Sequence, residues 1–193
     1  MTRVCLVGAD HATLPEDLLS YPTARDALDA YALEEPFENA VAVETISIGA
    51  AVSLLNDLDW YLVRLVSEAL VLEPSVSEDE WLSRKLATTV RNETVEPEDT
   101  GTFLKIYGVV SPDGEGMDDA NDAEFDDHDG NIDDLDGPES GPASDATPPA
   151  AARRPRLAEP LYAQRVDGEV PAYDLREVED TLVVRVTAEE FGA

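Results

Sequence analysis

The chain has 193 residues, 43 of them acidic and 13 basic, a formal charge of −30 and a single cysteine. That composition excludes an internal disulfide. At low salt it disfavours the negative backbone of DNA or RNA as a partner. The longest apolar stretch, Ile46 to Leu55, falls far short of the ~20 residues a membrane-spanning helix needs.

The acidity is not confined to one segment. Residues 111–152 hold 14 acids and no Lys or Arg, yet the other 151 residues keep 29 acids against 13 bases. Of those bases only Lys85 and Lys105 are lysines. A charge spread this widely repels itself in dilute buffer and becomes tolerable where concentrated salt screens it. The expectation is a cytoplasmic, halophilic protein from a salt-accumulating microbe. Cys5 and the short apolar run Val4–Val7, too brief for a secretion signal's core, agree with a reducing compartment.

In chain order, Arg3 to Val7 reads as a strand ending at Gly8. Thr23 caps a predicted helix reaching about Leu33, with Pro36 as its stop. Ala40 to Ile48 alternates β-branched residues as a strand does. Leu55, Leu58, Leu62, Leu65 and Ala69 then recur at helical spacing and predict one buried stripe. Leu70 to Leu72, closed by Pro74, reads as a short buried strand. Ser77 and Glu80 form a capping-box pattern, with Val76 and Trp81 at the staple positions. That predicts a helix continued by Leu82, Leu86 and Val90. Trp60, beside the leucine stripe, and Trp81 are both expected in the core. Thr102 to Val110 is a further strand.

Residues 111–156 are dense in Asp, Gly, Pro, Ser and Ala and are expected to be a disordered acidic linker. Beyond it, Asp167-Gly168 marks a turn between Pro160–Val166 and Glu169–Leu175, and Thr181 to Thr187 reads as a strand. Residues 157–193 are too few to fold alone, so they are expected to add strands to the sheet of residues 1–110.

Two places carry candidate chemistry. Asp10 and His11 follow the first strand, at the carboxyl end where α/β folds place ligands. A histidine beside a carboxylate is suited to acid–base work, and an exposed loop pair is the plainer reading. Asp127, Asp129, Asn131 and Asp133 match ligand positions of a calcium loop, with Gly130 at its turn. Phe125 stands where the first carboxylate belongs and no amphipathic helix flanks the run, so a solvated linker explains it as well. Arg153-Arg154-Pro155-Arg156 offsets charge where ordered composition resumes. No nucleophile elbow, phosphate loop or metal cluster is present in the sequence, and no cofactor is expected.

The run Leu58-Asp59-Trp60, followed by Glu68-Ala69-Leu70-Val71-Leu72-Glu73-Pro74 and a capped helix, resembles the C-terminal extension (WCX) domain of WYL-type regulators. The likeness covers about residues 40–90 and implies a small ferredoxin-like unit with a sensing or pairing role. The phrases Met1-Thr2-Arg3-Val4-Cys5-Leu6-Val7-Gly8 and Phe103-Leu104-Lys105-Ile106-Tyr107-Gly108 resemble a haloarchaeal family of unknown function, which implies no activity.

Together these readings predict an α/β (α+β) protein. It would be a ferredoxin-like two-layer sandwich of residues 1–110, interrupted by the acidic linker, with 157–193 docking on the same sheet. The expected role is a non-catalytic regulatory or protein-interaction module, its partner another protein or a second copy. The alternative is a small-molecule-binding protein or small enzyme using the loop with Asp10 and His11.

Overall fold

The computed structural model describes residues 1–111, 154–166, 168–172, 178 and 180–192. The first strand, β1 (Thr2–Gly8), is flanked on both sides by antiparallel neighbours, β2 (Ala40–Thr45) and β3 (Val66–Leu72). Two short helices, α1 (Leu14–Ser20) and α2 (Pro22–Leu28), connect β1 to β2. Each carries a proline at its first turn, where the missing N–H costs nothing.

Two more helices connect β2 to β3. In α3 (Ile48–Asp57) the Ser47 hydroxyl caps the start by accepting from the Ala50 N–H at 3.2 Å. The chain pivots at the fully buried Leu58 into α4 (Asp59–Leu65), then turns extended at Val66 without an intervening loop. Beyond β3 come β4 (Trp81–Ser83) and α5 (Arg84–Arg91), then a 3-10 turn over Pro97–Gly101 and β5 (Phe103–Val110). The C-terminal segment supplies β6 (Arg156–Leu157), β7 (Leu161–Gln164), β8 (Asp180–Val186) and the short α6 (Ala188–Phe191).

All eight strands form one sheet ordered β2-β1-β3-β4-β8-β5-β6, with β7 also pairing β5. Only β4 and β8 run parallel. The sheet curls into a half-barrel. Alternation along the strands sorts its two faces. Val4, Leu6, Val41, Val43, Val71 and Leu82 point to the face covered by the helices and meet Leu14, Leu18, Leu55, Leu58 and Leu62 there. Cys5, Ala42, Leu70, Trp81, Tyr107 and Val184 share the concave face. Cys5 and Ala42 sit near one end of the strand order and Tyr107 near the other. Small side chains at the first end let the sheet close on the larger ones from the second. The Glu38 N–H donates to the Pro155 carbonyl at 2.8 Å, joining the approach to β2 with the approach to β6.

The ferredoxin-like layout is therefore not what forms. A split βαβ arrangement joins parallel strands that leave room for another strand between them. Here the helix-linked strands β1 and β2 are adjacent and antiparallel. The C-terminal strands do join the sheet, and β8 goes into its interior, between β4 and β5.

Local expectations differ in instructive ways. The stripe from Leu55 to Ala69 is helical only to Leu65, and Ala69 lies in β3. Trp81 opens a strand, and the helix begins at Arg84 behind Ser83, whose hydroxyl accepts from the Leu86 N–H at 3.1 Å. Trp81 is buried, but Trp60 is half exposed and stacks against Arg64 instead of entering the core. At the Asp167-Gly168 turn, Gly168 takes φ +84° and one bridge joins Val166 to Glu169. A second strand does not follow among the described residues. Of the expected linker, residues 112–153, with the calcium-like residues Asp127, Asp129, Asn131 and Asp133, lie outside the described residues, whereas Arg154 pairs with Glu35 and Arg156 opens β6.

Candidate functional site: a cleft on the concave face

The curl leaves a cleft of about 480 Å³ between the carboxyl end of β1 and the segment 156–160. Its volume lies within the ~300–1,000 Å³ usual for small-molecule sites. Three strands meet there: β1 with Val7 and Gly8, β3 with Ser67 and Glu68, and β5 with Lys105 and Tyr107.

Lys105 and Tyr107 are two residues apart on β5 and share its concave face. Both converge on Glu68. The Lys105 ammonium pairs with the Glu68 carboxylate, and both side chains are largely shielded, at 14% and 23% exposure. The buried Tyr107 phenol feels the same Glu68 carboxylate. Burial, followed by the adjacent carboxylate, pushes this phenol far above its ordinary value, so it remains a donor. The Lys105 nitrogen stands 5.2 Å from the Tyr107 ring centroid and 5.6 Å from that of Tyr162, within cation–π range.

The loop after β1 is held by Asn39, a residue at φ +54°. Its amide oxygen accepts from Leu14 N–H at 2.7 Å, and its amide nitrogen donates to the carbonyls of Ala12 at 2.9 Å and Ala9 at 3.3 Å. Gly8 is required beside it, because a Cβ there would stand 2.6 Å from Asn39 Cγ. Ser67 donates to the carbonyls of Val7 and Gly8, where the β1–β3 register shifts. The loop's position is thus over-determined by side chains from two other elements.

Asp10 lines this cleft. His11 does not; its Nε2 lies 3.0 Å from the Arg64 carbonyl, on the α4 side of the loop. The structure separates the two residues that the sequence sets side by side. Of the basic run, Arg154 pairs with Glu35 at 2.9 Å and Arg156 lines the cleft. Sequence reasoning missed Glu68, Lys105, Tyr107 and Asn39. The available signal was Lys105, one of two lysines, set between apolar residues of a strand.

A second carboxylate centre lies between β4 and the C-terminal segment. Glu80 pairs with Arg165 and, at 2.6 Å, with Arg185 Nε. Arg185 also donates to Thr100 Oγ1, and Arg165 to the Gly101 carbonyl, both at 2.9 Å. Burial alone would raise the Glu80 carboxyl; the hydrogen bonds and charges of the two arginines outweigh it and hold the group below the ordinary range. A smaller, mainly apolar cleft of about 410 Å³ opens nearby between α5 and β8, floored by Leu86, Phe103 and Val186. The other lysine, Lys85, stands on its wall, paired with Glu189.

Among the described residues no three His, Cys, Asp or Glu are grouped to hold a metal ion. Among them, too, no helix is long and apolar enough to cross a membrane. Neither a curated protein nor a solved structure matches the chain. A family of unknown function, DUF5804, matches residues 2–109, and the chain belongs to that family.

Proposed function

We propose that this protein is a regulatory module that binds a small molecule in the concave cleft, in the salt-rich cytoplasm that its charge suits. The observation that carries the reading is the Lys105–Glu68–Tyr107 centre. It is a set of converging polar groups, largely withdrawn from solvent, on two strands, β3 and β5, that border an open cleft. Such preorganised polar groups in a partly apolar concavity are what orient small ligands. Asp10 adds a carboxylate at the rim. The regulatory part follows from the sequence, which has no catalytic constellation around the loop, and agrees with the sensing role implied by the WCX likeness.

The test is a ligand-observed NMR screen of the full chain against a mixture of polar metabolites in molar KCl, repeated with Tyr107→Phe and Glu68→Gln. Hits weakened by both substitutions support the cleft. A screen that yields only hits indifferent to both rejects it, as does a screen that yields none.

The protein-interaction reading rests on a different surface. Trp60 and Val63 on α4 are exposed, at 50% and 77%, and Trp60 stacks edge-on with Tyr21 and Tyr61. Sedimentation of the full chain would show concentration-dependent self-association that Trp60→Glu abolishes if this face pairs copies. A monomer at every concentration would leave the cleft as the site of action.

A further inference from the structure

Lys105 has three N–H donors, and among the described residues its hydrogen-bond acceptor is Glu68. The nearby rings of Tyr107 and Tyr162 present π faces, which attract the charge without accepting conventional hydrogen bonds. The ammonium at the floor therefore still has donors for an incoming oxygen. Arg156 gives the same wall a second positive charge.

The rest of the lining has the opposite sign. Asp10, Glu38 and Glu159 all border the cleft, and no side-chain partner holds their carboxylates among the described residues. They are not grouped for a metal, so what they favour is a cationic group within an extended molecule. A simple anion is repelled by this rim, and a simple amine meets Lys105 at the floor. A molecule carrying both charges is matched at both ends.

Lysine usage supports the same site. A chain that uses eleven arginines and two lysines has placed one of those lysines at 14% exposure in this cleft, where surface solubility is no explanation. Resting on the cleft reading above, we infer that the ligand class is a free α-amino acid bound as its zwitterion. The carboxylate meets Lys105, and a positive side-chain terminus, several bonds away, meets the Asp10–Glu38–Glu159 rim. The excess of carboxylates favours a basic side chain.

The experiment is calorimetric titration of the full chain in molar KCl with L-arginine, glycine, L-glutamate, acetate and putrescine. L-Arginine is expected to bind most tightly, glycine and L-glutamate more weakly, and acetate and putrescine least. Lys105→Met should weaken L-arginine by about tenfold or more, the scale of one lost charged hydrogen bond. Because that variant leaves Glu68 half-buried and unpaired, the double variant Lys105→Met/Glu68→Gln repeats the measurement with a neutral pair. Putrescine binding as tightly as L-arginine would overturn the inference, as would indifference of L-arginine to both variants. If no amino acid binds but another metabolite binds in a Tyr107-dependent way, the amino-acid class is wrong and the cleft reading stands. If nothing binds there, both fall.

Discussion

Two carboxylates organise two regions of this molecule in opposite ways. Glu80 is enclosed: both oxygens are engaged by arginines, which also donate to Thr100 Oγ1 and the Gly101 carbonyl. Glu68 is also paired, but its lysine borders an open cleft and keeps donors to spare. The first arrangement fastens arginines of the C-terminal segment to the body. The second has the same ingredients with one wall missing. A buried ion pair enclosed by the fold serves architecture; one beside a cavity is available to a ligand.

The sharpest way to break this contrast is Glu80→Ala. It strands two largely buried guanidiniums and should cost about 3–5 kcal/mol in urea unfolding. The same residue governs acid stability. Its folded value is depressed, so its contribution is present above the ordinary 4.5 and lost as pH falls through the lower folded value. Unfolding free energies measured from pH 6 downward should drop through that window, and Glu80→Gln should flatten the drop. Next in size is a kinetic effect on the concave face. Burial pushes the Cys5 thiol up to about 12, against a smaller lowering by Arg3, so labelling by a thiol reagent should be slow and track opening of the sheet. Tyr107→Phe should cost only about 1 kcal/mol, the scale of one hydroxyl's net hydrogen bonding, yet weaken cleft binding. The smallest effect belongs to Arg154→Ala, whose ion pair with Glu35 is 49% and 41% exposed. A change within about 0.5 kcal/mol is expected, vanishing in molar salt where the Debye length is ~3 Å.

The sequence made the strands legible where alternation was strong. The strands read at Arg3 to Val7, Ala40 to Ile48, Thr102 to Val110 and Thr181 to Thr187 form as Thr2–Gly8, Ala40–Thr45, Phe103–Val110 and Asp180–Val186, the second stopping early where Ser47 caps α3. It misled where local and distant interactions compete. Ser77 does accept from the Glu80 N–H at 3.1 Å, which is half of the capping box. The Glu80 side chain is taken by Arg165 and Arg185, 85 and 105 residues away, and Trp81 and Leu82 are drawn into strand pairing with β3 and β8. No local pattern announces partners at that separation. The ferredoxin-like expectation failed for the same reason, since strand order is a property of pairing rather than of periodicity. Of the candidate site, Asp10 was legible from its place after β1. Glu68, Lys105 and Tyr107 come together only once the sheet curls, because β3 and β5 have two strands between them in the sheet order.

The interior position of β8 also dictates when this protein can finish folding. β5 pairs with β8 over seven residues and has no ladder with β4. During synthesis β8 emerges about 70 residues after β5, so β5 must wait, its apolar flank unmatched, for the strand that joins it to the rest of the sheet. Contacts of such long sequence separation slow folding and lengthen exposure of unpaired edges. The nascent chain is thus vulnerable to aggregation in the interval between the emergence of β5 and that of β8.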